Sequence, residues 1–350
     1  MIQKTTVLFF LLIIHQSGFS KSWSGKCTAS LLQDTNVFES FDKAKQDHLA
    51  RVWLDGTGRI HPVKPLFLYL NYSGGFDAFA VQTSENRTVH ALFGLVEIPL
   101  RKKTYLGAEL QGKTSVYLKT ERNYATWRIA PFLRMQLLDG FQFYLSWTFS
   151  AFDYAPGHSF DYRFQNGRLS LESSPLPQVK WSLNVASYVM TYKREALKCL
   201  LPSSIEPSWI SLGYEQKDRI LEYSASFEAF YWAYLLVRFS YENNRSNSFG
   251  YSYRDPRIEV IFAKMLPLSL NLKLFWTYRA KSYTDSLAPS LQIRPDAEDE
   301  TNSQALLDVS RKMNERWTAR LRVARYRNES PFRNLYYQKD VASFGCTYEF

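Results

Sequence analysis

The chain has 350 residues and combines a basic charge balance with many aromatic side chains. Its 43 Lys and Arg outnumber its 33 Asp and Glu, and it contains 25 Phe, 23 Tyr and 9 Trp. A soluble domain would need a core for so many aromatic residues, whereas a lipid-facing barrel wall carries them on its outside. No stretch approaches the ~18 consecutive apolar residues of a transmembrane helix, which excludes a helical membrane protein.

The first 20 residues have the layout of a secretory signal peptide. Lys4 precedes an apolar run at 7–14, and Gly18 and Ser20 place small residues at the −3 and −1 positions of a cleavage site. We therefore predict removal of residues 1–20 and a mature chain, 21–350, that forms one domain; a buried N-terminal helix is the alternative. The basic residues form no block and no RNA-binding or helix-turn-helix signature, so we predict no nucleic-acid partner.

Apolar and polar side chains alternate along many segments, which is the period of a β-strand. The runs 141–151 and 266–278 are eleven and thirteen residues long, close to the ~9–11 of a tilted membrane strand and longer than an ordinary strand of ~5–6. We predict about sixteen strands, within a range of 14–18 set by residues 195–218, where 210–215 is either a separate strand or part of the next one. The predicted strands include 27–38, 124–137, 159–172, 219–230 and 266–281.

The predicted connections alternate between short turns and longer polar loops. Turns at 138–140 and 264–265 are short, whereas 195–218 and 282–302 are long. Short turns on one side and long loops on the other are typical of outer-membrane barrels. The fold class predicted is therefore all-β, a single antiparallel transmembrane β-barrel with periplasmic turns and extracellular loops. Pro131 lies inside a predicted strand, where it cannot donate to the ladder, and predicts a bulge or a break there.

The last residues resemble the C-terminal signature of Gram-negative outer-membrane β-barrels. Phe344, Tyr348 and the terminal Phe350 share one face of a final alternating strand. The alternation resembles that of the porin-like superfamily over the whole mature chain, without indicating a subfamily. The resemblance implies that the barrel-assembly machinery reads this signature, that outer-membrane lipid surrounds the wall, and that a long loop, 195–218 or 282–302, folds inward as a constriction.

Cys27 and Cys346 lie on the first and last predicted strands, near their periplasmic ends, and face outward by parity. Barrel closure pairs these two strands. A disulfide across the seam is one interpretation in an oxidising periplasm. Two small apolar wall residues are the other interpretation.

If the apolar faces meet lipid, the opposite faces line an interior that is too wide for side chains to fill. Four acids on three consecutive strands lie apart from a sector of arginines. This separation predicts a transverse electric field across the lumen. The acids are Glu222, Glu228, Glu242 and Glu259, and the arginines are Arg128, Arg134 and Arg168. Wall charges that are solvated or paired with each other are the alternative. The predicted pore-lining residues are Arg128, Arg134, Arg168, Lys180, Glu222, Glu228, Arg238, Glu242, Glu259, Lys273, Arg279, Arg320 and Arg322.

The sequence offers little that could carry catalysis. His48, His61, His90 and His158 have no metal-ligand spacing, and we predict no metal and no cofactor. His158-Ser159 leaves an outer-membrane hydrolase as an alternative, although no helper acid is identifiable. We predict a porin-like channel, not an enzyme, for passive diffusion of small hydrophilic solutes, with anions as candidate solutes. The rivals are an export barrel that works with a periplasmic partner and a structural or adhesive barrel; the oligomeric state stays open.

Overall fold

A computed structural model describes residues 21–38, 44–60, 65–155, 157–200, 209–285, 303–328 and 337–350. The predicted signal peptide lies outside the described residues. Within these ranges the chain forms β1 (Lys21–Asp34), β2 (Asp47–Ile60), β3 (Phe67–Phe79), β4 (Arg87–Arg101), β5 (Thr104–Tyr117), β6 (Tyr124–Leu138), β7 (Phe141–Tyr154), β8 (Tyr162–Leu176), β9 (Val179–Cys199), β10 (Trp209–Phe230), β11 (Tyr234–Ser246), β12 (Tyr253–Leu266), β13 (Leu270–Arg279), β14 (Ser282–Tyr283), β15 (Ser303–Lys312), β16 (Trp317–Asn328) and β17 (Tyr337–Glu349). No helix in the described ranges is long and apolar enough to cross a membrane.

The strands form one closed antiparallel wall. Each strand pairs with its neighbours along the chain, and β17 returns to pair with β1 from Lys26–Glu349 to Asp34–Val341. The two-residue β14 continues the line of β13 against β12, so the wall counts sixteen strands. Closure leaves no unpaired sheet edge. The predicted sixteen-strand antiparallel barrel is confirmed.

The wall is apolar on its outside. In β7, Leu145, Trp147 and Phe149 are 45%, 48% and 41% exposed, whereas Ser146 and Thr148 between them are 5% and 2% exposed. A soluble barrel would hide the large apolar side chains and expose the hydroxyls. The opposite arrangement is that of a barrel whose outer face is covered by lipid.

Short turns close the hairpins at one end of the barrel. Gly140 has a φ of +81° in the turn between β6 and β7, a conformation that glycine adopts without strain. Leu268 and Ser269, with φ of 63° and 57°, follow Pro267 in a turn between β12 and β13. The predicted strand at 266–281 was therefore wrong at its start, because two successive left-handed residues after a proline reverse the chain.

The longest hairpin lies at the other end, which we call the long-loop end. β9 and β10 contain 21 and 22 residues and remain paired as far as Cys199 and Trp209. The prediction of an inward-folding loop over 195–218 was wrong for 195–199 and 209–218, because these residues extend the hairpin. Residues 210–215 belong to β10, and two compensating register shifts around Glu215 preserve the pairing while breaking the alternation that sequence reasoning uses. Most of the second candidate loop, 286–302, lies outside the described residues.

The first strand has different bounds from those predicted. β1 begins at residue 21 instead of 27, and the ring of Trp23 covers Gly58 on β2. It ends at Asp34 instead of residue 38, because the Asp34 carboxylate accepts the backbone N–H of Asn36 at 2.9 Å and turns the chain.

Pro131 causes neither a bulge nor a break. It pairs with Ala108 on β5, and the register between β6 and β7 is the same at Ile129–Phe149 and at Phe132–Ser146. The bulge prediction was wrong, because the wall tolerates a missing donor at Pro131 without a register shift.

Candidate functional site

A cavity of about 690 Å³ lies inside the barrel beside the seam between β1 and β17. Alternate side chains of β1, β2, β16 and β17 line it, among them Lys26, Arg51, Arg320 and Arg322. Residues directly opposite each other in an antiparallel pair project to the same face. The register around the closed wall therefore defines the inward face of each strand.

The register places the predicted pore-lining residues on this inward face. Arg322 lies opposite Asp308, and Asp308 lies opposite Lys273 on the next strand. The register from β13 to β12 places Glu259 on this face, and Arg238 on β11 lies opposite Glu259. The inward face can be followed in this way from strand to strand around the wall. The residues that share the face are Arg128, Arg134, Arg168, Lys180, Glu222, Glu228, Arg238, Glu242, Glu259, Lys273, Arg279, Arg320 and Arg322.

Arg320 and Arg322 are held at the cavity by one buried carboxylate. The Nε atoms of Arg320 and Arg322 lie 2.8 and 3.0 Å from Asp308 Oδ2, and Asp308 is 2% exposed. Two guanidinium groups on one carboxylate leave a net positive charge. Charge-assisted hydrogen bonds of this kind fix the arginines against the wall.

A second cluster of the same design lies on β2, β3 and β4. Asp77, 1% exposed, accepts hydrogen bonds from Arg51 Nε at 2.6 Å and Arg87 Nε at 3.4 Å. Sequence reasoning missed these residues because β2 is apolar on both faces: Leu49 and Trp53 point inward, as Arg51 does, so hydrophobicity did not separate the faces. The signal that could have found them is parity carried from β1 to β2 through their hairpin, which places Arg51 opposite Ser30.

The cavity carries more cations than carboxylates. Its described lining contains eight Lys and Arg side chains and three acids. The excess persists when the two shared carboxylates, Asp77 and Asp308, are added. The cations are Lys26, Arg51, Arg87, Lys113, Arg122, Arg320, Arg322 and Lys339, and the acids are Asp34, Asp55 and Glu85.

The predicted acidic sector lies on β10, β11 and β12. Glu222 and Glu242 face each other across β10 and β11. Tyr188 Oη lies 2.8 Å from Glu222 Oε2 and 3.1 Å from Glu242 Oε2, and Tyr253 Oη donates to Glu242 Oε1. A shared phenol therefore holds two like-charged groups side by side on the wall.

Other predicted lining residues pair with neighbours. Arg238 Nη1 lies 3.3 Å from Glu259 Oε1, and Tyr234 Oη lies 3.4 Å from Glu228 Oε2. Arg279, 5% exposed, pairs with buried Asp255, an acid that was missing from the predicted set.

Two further pairs lie elsewhere on the wall. Arg134 bonds to Glu97 at 2.7 Å and Lys180 to Glu172 at 2.8 Å. Arg128 lies opposite Ser150, and Arg168 lies between Ser146 and Ala186. On its other side Arg128 lies opposite Gln111, so neither arginine has an acid directly opposite it in the ladder.

His158 has an acidic partner that sequence reasoning did not identify. Its Nδ1 lies 2.8 Å from Asp161 Oδ2, and Lys193 Nζ binds the same oxygen at 2.7 Å. Burial raises the pKa of the Asp161 carboxyl, but hydrogen bonds from Lys193, the Tyr154 N–H and His158 outweigh it and hold that pKa below its ordinary value. Asp161 thus ties β7, β9 and the 3-10 turn His158–Phe160 together, which is why β8 begins at Tyr162 instead of residue 159.

The seam is closed by hydrogen bonds and aromatic contacts. Phe350 exchanges backbone hydrogen bonds with Gly25 at 2.9 and 3.0 Å. The outward ring of Tyr348 lies 5.1 Å from Trp317 and 6.3 Å from Phe350, and Phe344 is 56% exposed on the same face.

The seam cysteines are not bridged. Cys27 lies opposite Tyr348 and Cys346 opposite Ala29, and both thiols are free. The two cysteines are therefore diagonal neighbours, whose Cα atoms lie roughly 7–8 Å apart in such a ladder. That separation exceeds the reach of an unstrained disulfide, so the interpretation as a clasp was wrong.

The chain has a closed wall, an apolar outer face and a charged lumen. These features define it as a β-barrel with the fold of Gram-negative outer-membrane porins. OccAB1 of Acinetobacter baumannii superposes with a TM-score of 0.51 at 9% identity, over 96% of this chain and 99% of that chain. Salmonella typhi OmpF in complex with daunomycin gives 0.51 at 10% identity, over 95% and 98%. Pseudomonas aeruginosa OccK8 (OprE) gives 0.50 at 8% identity, over 95% and 99%. At such identities the likeness shows the fold, and no protein-family model or curated protein matches the chain in sequence.

Proposed function

We propose that the chain is a porin-like channel of the outer membrane through which small hydrophilic solutes, anions in preference, diffuse passively. One observation carries the proposal: a cavity with an excess of cations lies inside a closed wall whose outer face is apolar. The lumen of a barrel with sixteen strands is wide enough to admit water. Charges fixed on its wall then select ions that pass close to them. The channel needs no catalytic step and no cofactor.

The location and biogenesis belong to the same proposal. The outward apolar face needs lipid around it, and the resemblance of residues 344–350 to the outer-membrane signature supports recognition by the barrel-assembly machinery. Cleavage of residues 1–20 during export would leave β1 as the first element of the mature chain.

The test is single-channel conductance and ion selectivity of the refolded mature chain in a planar bilayer. We expect steady conductance with an anion preference that is lost when Arg320 and Arg322 are both replaced by Glu. The matched control replaces Arg325 and Arg327 by Glu, because these residues lie on the outward face of the same strand. Heat-modifiable mobility on a gel confirms that each variant has folded.

Two results would contradict the proposal in different parts. A folded barrel without conductance would overturn the channel and favour an adhesive or an export barrel that needs a partner. Conductance without a change in selectivity for the Arg320/Arg322 variant would overturn the anion preference alone.

A further inference from the structure

Five basic side chains form a strip on the outside of the barrel at the long-loop end. By register, Arg163 on β8, Lys217 and Arg219 on β10, Arg245 on β11 and Arg254 on β12 all point away from the lumen. All five are exposed. We call them the basic strip.

The basic strip is compact. Arg163 and Lys217 lie on either side of Thr191 in one row of the sheet, and Arg219 lies directly opposite Arg245. Arg254 lies opposite Asn243, the outward neighbour of Arg245. From β8 to β12 the strip is roughly 19 Å wide, since adjacent strands are about 4.8 Å apart.

None of the five side chains has an ion-pair or hydrogen-bond partner among the residues that the structure describes. The acids at its edge, Asp153 and Asp161, lie beside Lys193, which bonds to Asp161 at 2.7 Å and lies 4.0 Å from Asp153. Glu195 and Glu215 face each other farther out along the hairpin. Like charges directly opposite each other in a ladder are destabilising. An anion held between Arg219 and Arg245 would therefore stabilise this pair.

The location of the strip indicates which anion. Farther along the same outward faces lie Leu169, Val185, Tyr223 and Phe239, each more than 40% exposed. If lipid chains cover this belt, lipid headgroups lie at the level of the strip. At the same end of the barrel, the outward positions of β2 to β7 carry neither Lys nor Arg. Of the outward cations beside the strip, Lys193 bonds to Asp161 at 2.7 Å and Arg325 lies 3.5 Å from Asp340.

We propose that the basic strip binds the phosphate groups of lipids in the leaflet at the long-loop end. The inference rests on the proposed location of the barrel in a membrane, and it adds a lipid site to the proposed channel. Guanidinium groups match phosphate with two parallel hydrogen bonds. Five of these cations on one arc suit a headgroup with more than one phosphate, which bridges Arg219 and Arg245 and reaches their neighbours.

The experiment measures lipid binding to the folded mature barrel in detergent micelles by native mass spectrometry. The probes are a diphosphorylated lipid A and, for comparison, phosphatidylcholine. We expect tighter binding of the diphosphorylated lipid, weakened about 25-fold when Arg219 and Arg245 are both replaced by Ala, since each cation near a headgroup contributes roughly fivefold. The matched control replaces Arg311 and Arg325 by Ala, two outward arginines outside the strip.

Three outcomes would overturn the lipid site: equal binding of the two lipids, an equal loss in the control variant, or displacement of the lipid by an equal concentration of inorganic phosphate. Conductance measured on the same preparations separates this inference from the proposed function. A barrel that conducts without retaining the lipid overturns the strip alone, and one that retains the lipid without conducting overturns the channel alone.

Discussion

Gly75 on β3 is a position where the wall has no room for a side chain. A Cβ there would overlap the carbonyl oxygen of Val52 and the ring of Trp53, which packs over the glycine from β2. Gly56 on β2 provides the opposite case, because a Cβ there meets nothing within 4 Å. Two glycines on neighbouring strands thus differ in the space around them.

We predict that Gly75→Ala lowers the free energy of unfolding by about 1–3 kcal/mol, because the backbone or Trp53 must shift to accommodate the methyl group. Gly56→Ala should leave it unchanged or raise it by roughly 0.5 kcal/mol, since alanine restricts the unfolded chain. Urea unfolding in lipid vesicles, followed by tryptophan fluorescence, gives both values. Equal effects at the two positions would show that the approach of Val52 and Trp53 does not constrain Gly75.

The seam between β1 and β17 is the element on which closure depends. Its last hydrogen-bonded pair joins Gly25 and Phe350, and the Phe350 ring also lies against Gly25. Removal of the terminal residue deletes both the backbone bonds and the ring, whereas Phe350→Ala deletes the ring alone. The two changes therefore separate the ladder from the aromatic contact.

We predict that deletion of Phe350 costs roughly 1–3 kcal/mol more than Phe350→Ala, because two backbone hydrogen bonds are lost at about 0.5–1.5 kcal/mol each. The same urea unfolding assay measures the difference, with Phe344→Ala as a control for an outward ring away from the terminus. If deletion and Phe350→Ala have the same effect, the terminal backbone pair does not stabilise the seam.

Strands with regular alternation were predictable, and strands whose ends depend on local chemistry were not. β7 begins at Phe141, where the predicted run 141–151 begins, because its outward Leu145, Trp147 and Phe149 alternate with hydroxyls. The end of β1 escaped prediction because one hydrogen bond from Asn36 to Asp34 decides it. The long β9–β10 hairpin escaped prediction because its bulges shift the side-chain period.

At the scale of the whole barrel, the sequence predicted many of the charges that face inward but not how they pair. Parity along β16 is enough to place Arg320 and Arg322 on the lumen face. Their shared partner Asp308 on the neighbouring strand β15, and the matching role of Asp77 between β2 and β4, depend on side-chain contacts across adjacent strands. Pairing decides how much each charge contributes to the lumen, and a linear pattern does not contain it.

At this scale, the negative charges of the acids on β10 and β11 either act against the positive charges of the arginines across the lumen or are neutralised by their own neighbours. We predict that replacing Glu222 and Glu242 together by Gln raises the anion-to-cation permeability ratio roughly twofold, since two negative charges leave one side of the wall while its acceptor oxygens stay in place. The reversal potential under a salt gradient measures the ratio. Glu121→Gln with Glu315→Gln, both in exposed connections, is the matched control. An unchanged ratio in the Glu222/Glu242 variant would mean that Tyr188, Tyr253 and the neighbouring cations already neutralise the acids, and that paired wall charges, not a transverse field, describe this lumen.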